Sequence, residues 1–378
     1  MKKVLITGGA GFIGSNLALK LVSKEYEVSV LDNLSVQIHG KDPALTSPLF
    51  QSISGKVNFF KGDVRNYDDW MQCISNQEVI VHLAAETGTG QSMYEIKRYT
   101  DVNVGGTALM LDIITNQPTS VKKVIVASSR SIYGEGKYWS EKTGVVYPKA
   151  REQEYLDKGI FELFGEDEAD PLQLLPTDET SKIHPSSIYG ITKQNQEQMV
   201  LVACAAKNIP AVAFRYQNVY GPGQSLKNPY TGILSIFSTQ IRNGLPINIF
   251  EDGKESRDFV FIDDVTDATI AGIENDSNGT AVYNVGSGMP TTVLEVANEL
   301  MKNYNKQVPL TVTGNYRIGD IRHNYADLSL IQKELGFQPK YSFNEGLKHF
   351  CEWVMKQPSE TSNYNHSLDE MKSKGLLK

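Results

Sequence analysis

The stretch Val4-Leu5-Ile6-Thr7-Gly8-Gly9-Ala10-Gly11-Phe12-Ile13-Gly14-Ser15 constrains this chain more than any other. An apolar strand runs into glycines spaced G-x-G-x-x-G at Gly9, Gly11 and Gly14. Missing Cβ atoms at such positions permit a tight turn, let backbone approach a pyrophosphate and let a helix pack closely on a strand. The helix predicted from near Phe12 points its free N–H groups and positive dipole end at the same place. A second strand, Glu27 to Leu31, ends at Asp32, close to the spacing of about 20 residues at which a carboxylate binds adenosine ribose hydroxyls. That carboxylate repels a 2′-phosphate, and no Arg follows it immediately, so the expected cofactor is NAD rather than NADP.

Strand and helix then alternate. Val57 to Lys61 reads as a strand stopping at Gly62-Asp63-Val64, where Asp63 could reach the adenine, and 66–76 as a helix. Glu78 to Leu83 is apolar without alternation, as a strand buried on both faces of a parallel sheet should be. The small-residue loop Ala84 to Gly90 follows at its carboxyl end, the side where open α/β sheets bind ligands. A long helix is expected over Asp101 to Asn116, a fifth strand over Lys122 to Ala127, a helix over Ile188 to Lys207 and a sixth strand over Ala211 to Arg215. The predicted architecture is a doubly wound parallel sheet over 1–218, with a return strand near 281–285, and a smaller mixed lobe over 219–357. Two stretches fall outside it. Residues from about 137 to 182 are polar and acidic, with Glu166-Asp167-Glu168 and Asp170, and read as an insertion on the surface or over the site. Residues 358–378 read as an appended tail of uncertain order.

Composition excludes several classes of function. The net charge of −7 and the lack of any Lys/Arg block argue against nucleic-acid or anionic-membrane partners. No signal-peptide core and no apolar run of about 18 residues is present, so a cytoplasmic protein is expected. Cys73, Cys204 and Cys351 are scattered and the six His lack zinc spacing, so neither disulfides nor a metal site is expected. His82, ending an apolar run, reads as a packed strand-end residue.

Tyr189 and Lys193 lie four apart, on one face of the predicted helix. A nearby ammonium favours phenolate and draws a phenol with pKa near 10 toward the range useful to a general base. Lys193 could also hold the nicotinamide ribose. Spacing alone does not select this pair, because Tyr133/Lys137 and Tyr138/Lys142 share it. Only Tyr189 opens a capped helix, after His184-Pro185-Ser186-Ser187. Ser129 supplies a hydroxyl able to share a substrate hydroxyl with Tyr189.

Taken with Leu83-Ala84-Ala85, Asn103, Ser128-Ser129 and Arg215-Tyr216-Gln217-Asn218-Val219-Tyr220-Gly221-Pro222, these motifs resemble the extended short-chain dehydrogenase/reductases of the nucleotide-sugar type. The resemblance runs from Lys3 to about Met355. It implies NAD held by Gly8, Gly11, Phe12, Ile13, Asp32, Asn33, Asp63, Val64, Leu83, Ala84, Ala85, Asn103, Ser128, Tyr189, Lys193 and Tyr216. Ser129, Tyr189 and Lys193 become the catalytic set. A nucleoside-diphosphate sugar would be met by Glu86, Ser131, Asn218, Arg257 and Arg317, with Arg322 a weaker candidate, in a homodimer. The 4,6-dehydratases of the family carry an Asp-Glu pair where this chain has Arg130 and Ser131, so the resemblance points to 4-epimerisation through a 4-keto intermediate. Glu86 to Ser92 and Val146 to Arg151 most resemble the dTDP-L-rhamnose 4-epimerase branch. A net 4-dehydrogenase or 4-ketoreductase, a UDP-hexose 4-epimerase and a catalytically silent NAD-binding scaffold are the alternatives.

Overall fold

Apolar runs that do not alternate can be buried on both faces only in a sheet covered by helices on each side, and the computed structural model shows such a sheet. It describes residues 2–378 except 167, 168, 229, 231, 277 and 360–363. Seven strands, β1 (Lys3–Thr7), β2 (Glu27–Asp32), β3 (Asn58–Lys61), β4 (Val79–His82), β5 (Lys123–Ser129), β6 (Ala211–Tyr216) and β7 (Thr280–Val285), lie in the order β7-β6-β5-β4-β1-β2-β3. Every neighbouring pair is parallel. Chain direction across the sheet reverses between β1 and β4, which opens a crevice at their carboxyl ends. Register brings the functional ends level: Thr7 faces Leu31 and His82, and Ser129 faces Tyr216.

Helices α1 (Phe12–Ser23), α2 (Gly106–Asn116), α3 (Ile188–Ala206) and α4 (Ile262–Glu274) supply the covering layers. Leu17, Ala18 and Leu21 of α1 share one buried cluster with Val265, Ala268 and Ile273 of α4. Met110 and Ile113 of α2 share the other with Val200 and Cys204 of α3. The helix expected over Asp101 to Asn116 is α-helical only from Gly106, because Thr100–Gly105 forms a π-helical turn. That turn carries Asn103, whose amide accepts from the Glu86 N–H at 2.7 Å and donates to the Glu86 carbonyl at 3.1 Å. Widened turns of this kind often occur where a side chain has functional work.

The second lobe holds a mixed sheet of Asn218–Tyr220, Ser256–Phe261, Pro290–Thr292 and His323–Asn324, and a parallel pair, Ile247–Ile249 with Leu310–Val312. Phe259 and Phe261 pack with Leu300 and Phe350 in its core. Between these strands the chain returns to the first sheet as α4 and β7, so the first lobe draws residues from two separate parts of the sequence.

The insertion lacks a clear period because its elements are short. Tyr138–Ser140 pairs with Gly144–Val146 and with Gln173–Leu174, and Gln153–Asp157 is a helix of five residues. Asp170 is not a surface acid but is 2% exposed and accepts from the Ser140 hydroxyl. Asp167 and Glu168 of the expected acidic run lie outside the described residues. The tail differs more: Tyr364–Ser373 is a helix, and Tyr364, Leu368, Met371 and Leu377 join the core of the second lobe. A sparse apolar stripe in a polar segment suffices to dock it; residues 360–363 of that tail are outside the description. Among the described residues no helix is long and apolar enough to cross a membrane, and no His/Cys/Asp/Glu cluster could hold a metal.

Candidate active site

A cavity of about 600 Å³ runs along the carboxyl ends of the strands and between the lobes. Its floor is the glycine turn. Gly8 has φ +67°, and a Cβ there would sit 2.8 Å from the Ala84 nitrogen. At Gly14 a Cβ would sit 2.5 Å from the Gly8 carbonyl, so α1 can start this close to the strand only with glycine. The Asp32 carboxylate ends β2 under this turn, accepting from Ala10 N–H at 3.0 Å and Leu34 N–H at 2.8 Å. Burial raises its pKa, while these bonds and His39 oppose the rise. Asn33 donates to Asp63 at 3.1 Å, and Arg65 pairs with Asp63 at 2.8 Å, holding the Asp63 pKa at about 2. The buried Ser128 hydroxyl has no hydrogen-bond partner among the described residues. A substituent-free turn, a helix N-terminus, a strand-end carboxylate and an unpartnered hydroxyl in one crevice fit a dinucleotide.

Ser187 caps α3, accepting from Gly190 N–H at 3.1 Å, and so fixes the helix start beside the cavity. Tyr189 N–H is held by the Ser92 hydroxyl at 3.0 Å. Burial raises the Tyr189 pKa, and the Ser129 hydroxyl and the Arg130 charge pull it back down. Lys193, the cation expected from the sequence to activate Tyr189, instead donates to Gln196 Oε1 at 2.7 Å, and burial lowers its own pKa to about 7.

Donor counting gives the network behind Lys193 a direction. Thr107 has one hydroxyl proton, given to the Asn103 carbonyl at 2.6 Å, so it accepts from Gln196 Nε2 at 2.9 Å and from His82 Nε2 at 3.0 Å. His82 therefore carries its proton on Nε2 and accepts at Nδ1 from the Thr7 hydroxyl at 2.8 Å. Burial and the Lys193 charge hold its pKa at about 3, so it stays neutral and serves as a packed strand-end residue.

At the other end of the cavity three arginines converge. Arg257 donates to Asp320 Oδ1 and to the carbonyls of Ser256, Ile321 and Arg322. Arg317 lies over the Phe250 ring at 4.8 Å. Arg130 donates through Nε to Asn218 Oδ1 at 2.9 Å, and burial with the Arg257 charge lowers its pKa to about 10. Burial raises the Asp320 pKa, but Arg257, Arg317, Arg130 and Arg151 hold it at about 2. Ser131 donates to Ser129 Oγ at 2.9 Å, and Glu86 pairs with Arg98 at 2.7 Å.

Of the residues expected to serve catalysis, cofactor or substrate, all line this cavity except Asn103 and the weaker candidate Arg322. Asn103 is 0% exposed and works from behind, clamping the Glu86 backbone and Thr192. Arg322 is also absent from the lining; its guanidinium is spent on Glu162, Glu251 and Asp252. Tyr133, which shares the Tyr/Lys spacing, is buried against Arg215 and Asn284. No described insertion residue lines the cavity. Arg151 instead braces it, bidentate to Glu251 at 2.8 Å and donating to the Asp320 carbonyl at 3.0 Å. Sequence reasoning missed Arg130 as a cavity group, Gln217, whose buried side-chain amide has no partner among the described residues, and Tyr364 and Met371 from the tail. For Arg130 a signal existed, its place next to Ser129.

Comparison with known proteins agrees with this geometry. The family model for the NAD dependent epimerase/dehydratase family matches residues 4–155 and 161–286. The dTDP-L-rhamnose 4-epimerase of Burkholderia thailandensis is 36% identical over 359 residues, 94% of this chain and 96% of its own. The UDP-N-acetyl-alpha-D-glucosaminuronate decarboxylase of Bacillus cytotoxicus is 28% identical, covering 93% of this chain and 97% of its own. The solved structure of UDP-glucuronic acid 4-epimerase from Bacillus cereus, with UDP-glucuronic acid and NAD, superposes with a TM-score of 0.74 at 25% identity, over 94% of this chain and 99% of that one.

Proposed function

The chain belongs to the NAD dependent epimerase/dehydratase family, an extended short-chain dehydrogenase/reductase, and from that premise we propose that it inverts C4 of a nucleoside-diphosphate deoxyhexose, a dTDP-6-deoxy-L-hexose. The observation that carries the reading is the group beside Ser129. Ser129 and Tyr189 present their hydroxyls to one cavity, and the adjacent positions hold Arg130 and Ser131 rather than carboxylates. Such a site has one centre for moving the proton of a sugar hydroxyl and no acid/base pair beside it for eliminating water. The 36% identity to a dTDP-L-rhamnose 4-epimerase supports the choice of base and sugar.

Gly8, Gly11, Phe12, Ile13, Asp32, Asn33, Asp63, Val64, Leu83, Ala84, Ala85, Ser128, Tyr189, Lys193 and Tyr216 would hold the cofactor, all of them in the cavity wall. NAD, when bound, would supply the hydride acceptor for C4 and the hydride donor to the opposite face of the 4-ketone. Tyr189 takes the C4 hydroxyl proton at its phenolic oxygen and gives it back, while Ser129 donates to the oxygen that becomes the carbonyl. The lowering of the Tyr189 pKa by Ser129 and Arg130 offsets part of what burial costs the phenolate. Arg257 and Arg317 would bind the diphosphate, taking as ligand the negative charge that Asp320 now supplies. The 4-ketose must turn in the site between the two transfers, and Glu86, Ser131 and Asn218 offer it hydrogen-bonding partners on the walls. We place the enzyme in the cytoplasm as a homodimer.

Turnover on a panel of dTDP-, UDP-, GDP- and CDP-sugars tests this. A dTDP-6-deoxy-L-hexose should be the best substrate and emerge inverted at C4. Turnover confined to UDP-hexoses would move the protein to that branch, and NAD binding without turnover on any sugar nucleotide would support the silent scaffold.

A further inference from the structure

Two side chains of the C-terminal segment, Tyr364 and Met371, line the cavity. Beyond the helix Tyr364–Ser373, the chain pairs with the strand-like stretch around Arg317: Tyr316 N–H donates to the Lys378 carbonyl at 2.9 Å, Lys378 N–H to the Tyr316 carbonyl at 3.1 Å, and Ile318 N–H to the Leu376 carbonyl at 3.0 Å. The backbone on both sides of Arg317 is thus fixed by the last residues of the chain. The side chain is fixed by the same segment, since Arg317 Nη2 donates to the Tyr364 hydroxyl at 3.3 Å while Phe250 supports the guanidinium from its face. Arg317 Nε, buried and without a hydrogen-bond partner among the described residues, remains for a ligand.

Nearly two turns further along the helix, Glu370 joins two loops. Its Oε2 accepts from the Tyr94 hydroxyl at 3.1 Å and the Tyr230 hydroxyl at 2.7 Å, and those hydroxyls lie 2.8 Å apart. Tyr94 follows the loop whose Gly88, Thr89 and Gly90 line the cavity from the first lobe. Tyr230 lines it from the second lobe with Ser225 and Asn228. Tyr364 and Met371 line the cavity themselves, and a Cβ added at Gly90 would meet Met371 Sδ at 3.1 Å.

We propose that the C-terminal segment is a wall of the substrate site, in which Tyr364 orients Arg317 and Glu370 holds the two cavity loops together for the nucleoside-diphosphate part of the substrate. The inference rests on reading the cavity as a nucleotide-sugar site. Tyr364 and Glu370 are positioning residues, so their loss should appear in affinity and KM for the nucleotide while kcat is retained. Hydrogen bonds to a charged group carry enough energy that removing the acceptor shared by two phenols should weaken binding about tenfold or more.

Calorimetric titration of the full-length protein with dTDP and with UDP tests this. Tyr364→Phe and Glu370→Ala should each weaken the nucleoside diphosphate that wild type binds, and Glu370→Gln, which keeps an acceptor, should weaken it less. Tyr94→Phe combined with Tyr230→Phe should reproduce the Glu370→Ala loss with the tail helix intact. NAD affinity and melting temperature should stay at wild-type values in every variant. Equal affinity across wild type and variants would overturn the proposal, as would loss of NAD binding in step with loss of nucleotide, which would mark general unfolding. Wild type that binds neither dTDP nor UDP would refute the nucleotide-sugar reading itself.

Discussion

Glu197→Gln probes how α3, the helix that carries Tyr189, is held to the sheet. The Glu197 carboxylate lies between α3 and β6, accepting from Arg215 Nη2 at 2.6 Å and Nε at 3.0 Å, with side-chain exposures of 2% and 4% for the pair. Arg215 Nη1 is already committed to the Tyr133 hydroxyl at 2.8 Å and the Glu179 carbonyl at 2.9 Å. The amide variant keeps one acceptor and loses the other, leaving a guanidinium buried without its counter-charge. Breaking a buried pair from one side costs about 3–5 kcal/mol. The retained acceptor and the two neutral partners place this case near the lower end, at about 3 kcal/mol. Urea denaturation followed by circular dichroism should show the midpoint falling with an unchanged slope. Removing both charges with Glu197→Met and Arg215→Met should recover most of the loss, because the desolvation cost disappears along with the attraction. Glu197 also favours the charged form of Lys193, so Glu197→Gln should push the Lys193 pKa further below about 7. A single variant within about 0.5 kcal/mol of wild type, or a double variant no more stable than the single, would refute this account of the pair.

Three further outcomes follow from the site. Tyr189→Phe should lower turnover by roughly 100-fold to 10,000-fold, the scale of a lost general base, with NAD binding nearly intact; comparable activity would remove Tyr189 from that role. Asp32→Ala should reduce the preference for NAD over NADP by about tenfold or more, since it removes a like charge facing a 2′-phosphate, and an unchanged ratio of the two KM values would show that another group reads the ribose. Because the folded Lys193 has a pKa of about 7, lowered by burial from 10.5, the unfolded chain holds a proton there that the folded one has lost between those values. Apoenzyme stability should accordingly gain a rising component from about pH 7 toward 10.5, and Lys193→Met should remove it in denaturation curves measured at pH 7, 8 and 9; identical pH slopes would mean Lys193 is charged when folded.

What was legible in the sequence was what local pattern dictates. The glycine spacing, the apolar run before Asp32 and the Ser187 cap are short-range signals, and β1, β2 and α3 appear where those signals put them. Long-range pairing was not legible. Periodicity marks a face without naming what covers it, so nothing in the composition of 364–378 said that Tyr364 and Met371 face a cavity assembled from both lobes. The Arg151–Glu251 pair joins residues 100 apart and was equally hidden, which is why the insertion was open to being read as a cover for the sugar. Asn103, a residue of the family's motifs, and Arg322, the weaker substrate candidate, are each consumed by partners and kept out of the cavity lining, since sequence fixes neighbourhood and not the direction of a side chain. The Tyr189/Lys193 spacing put both residues at the cavity, but the partner of Lys193 is Gln196, three residues further on, and the nearby charge acting on Tyr189 comes from Arg130 on another element.

The central claim is that Tyr189 and Ser129 serve removal and return of hydrogen at one carbon, with no proton abstracted next to the ketone. Reaction with a dTDP-6-deoxy-L-hexose in D2O, followed by NMR of the product, tests it most directly. The account predicts a C4-inverted sugar with no carbon-bound deuterium, and no net change in the oxidation state of the cofactor pool. Deuterium at C5, or stoichiometric oxidation or reduction of the cofactor, would contradict it.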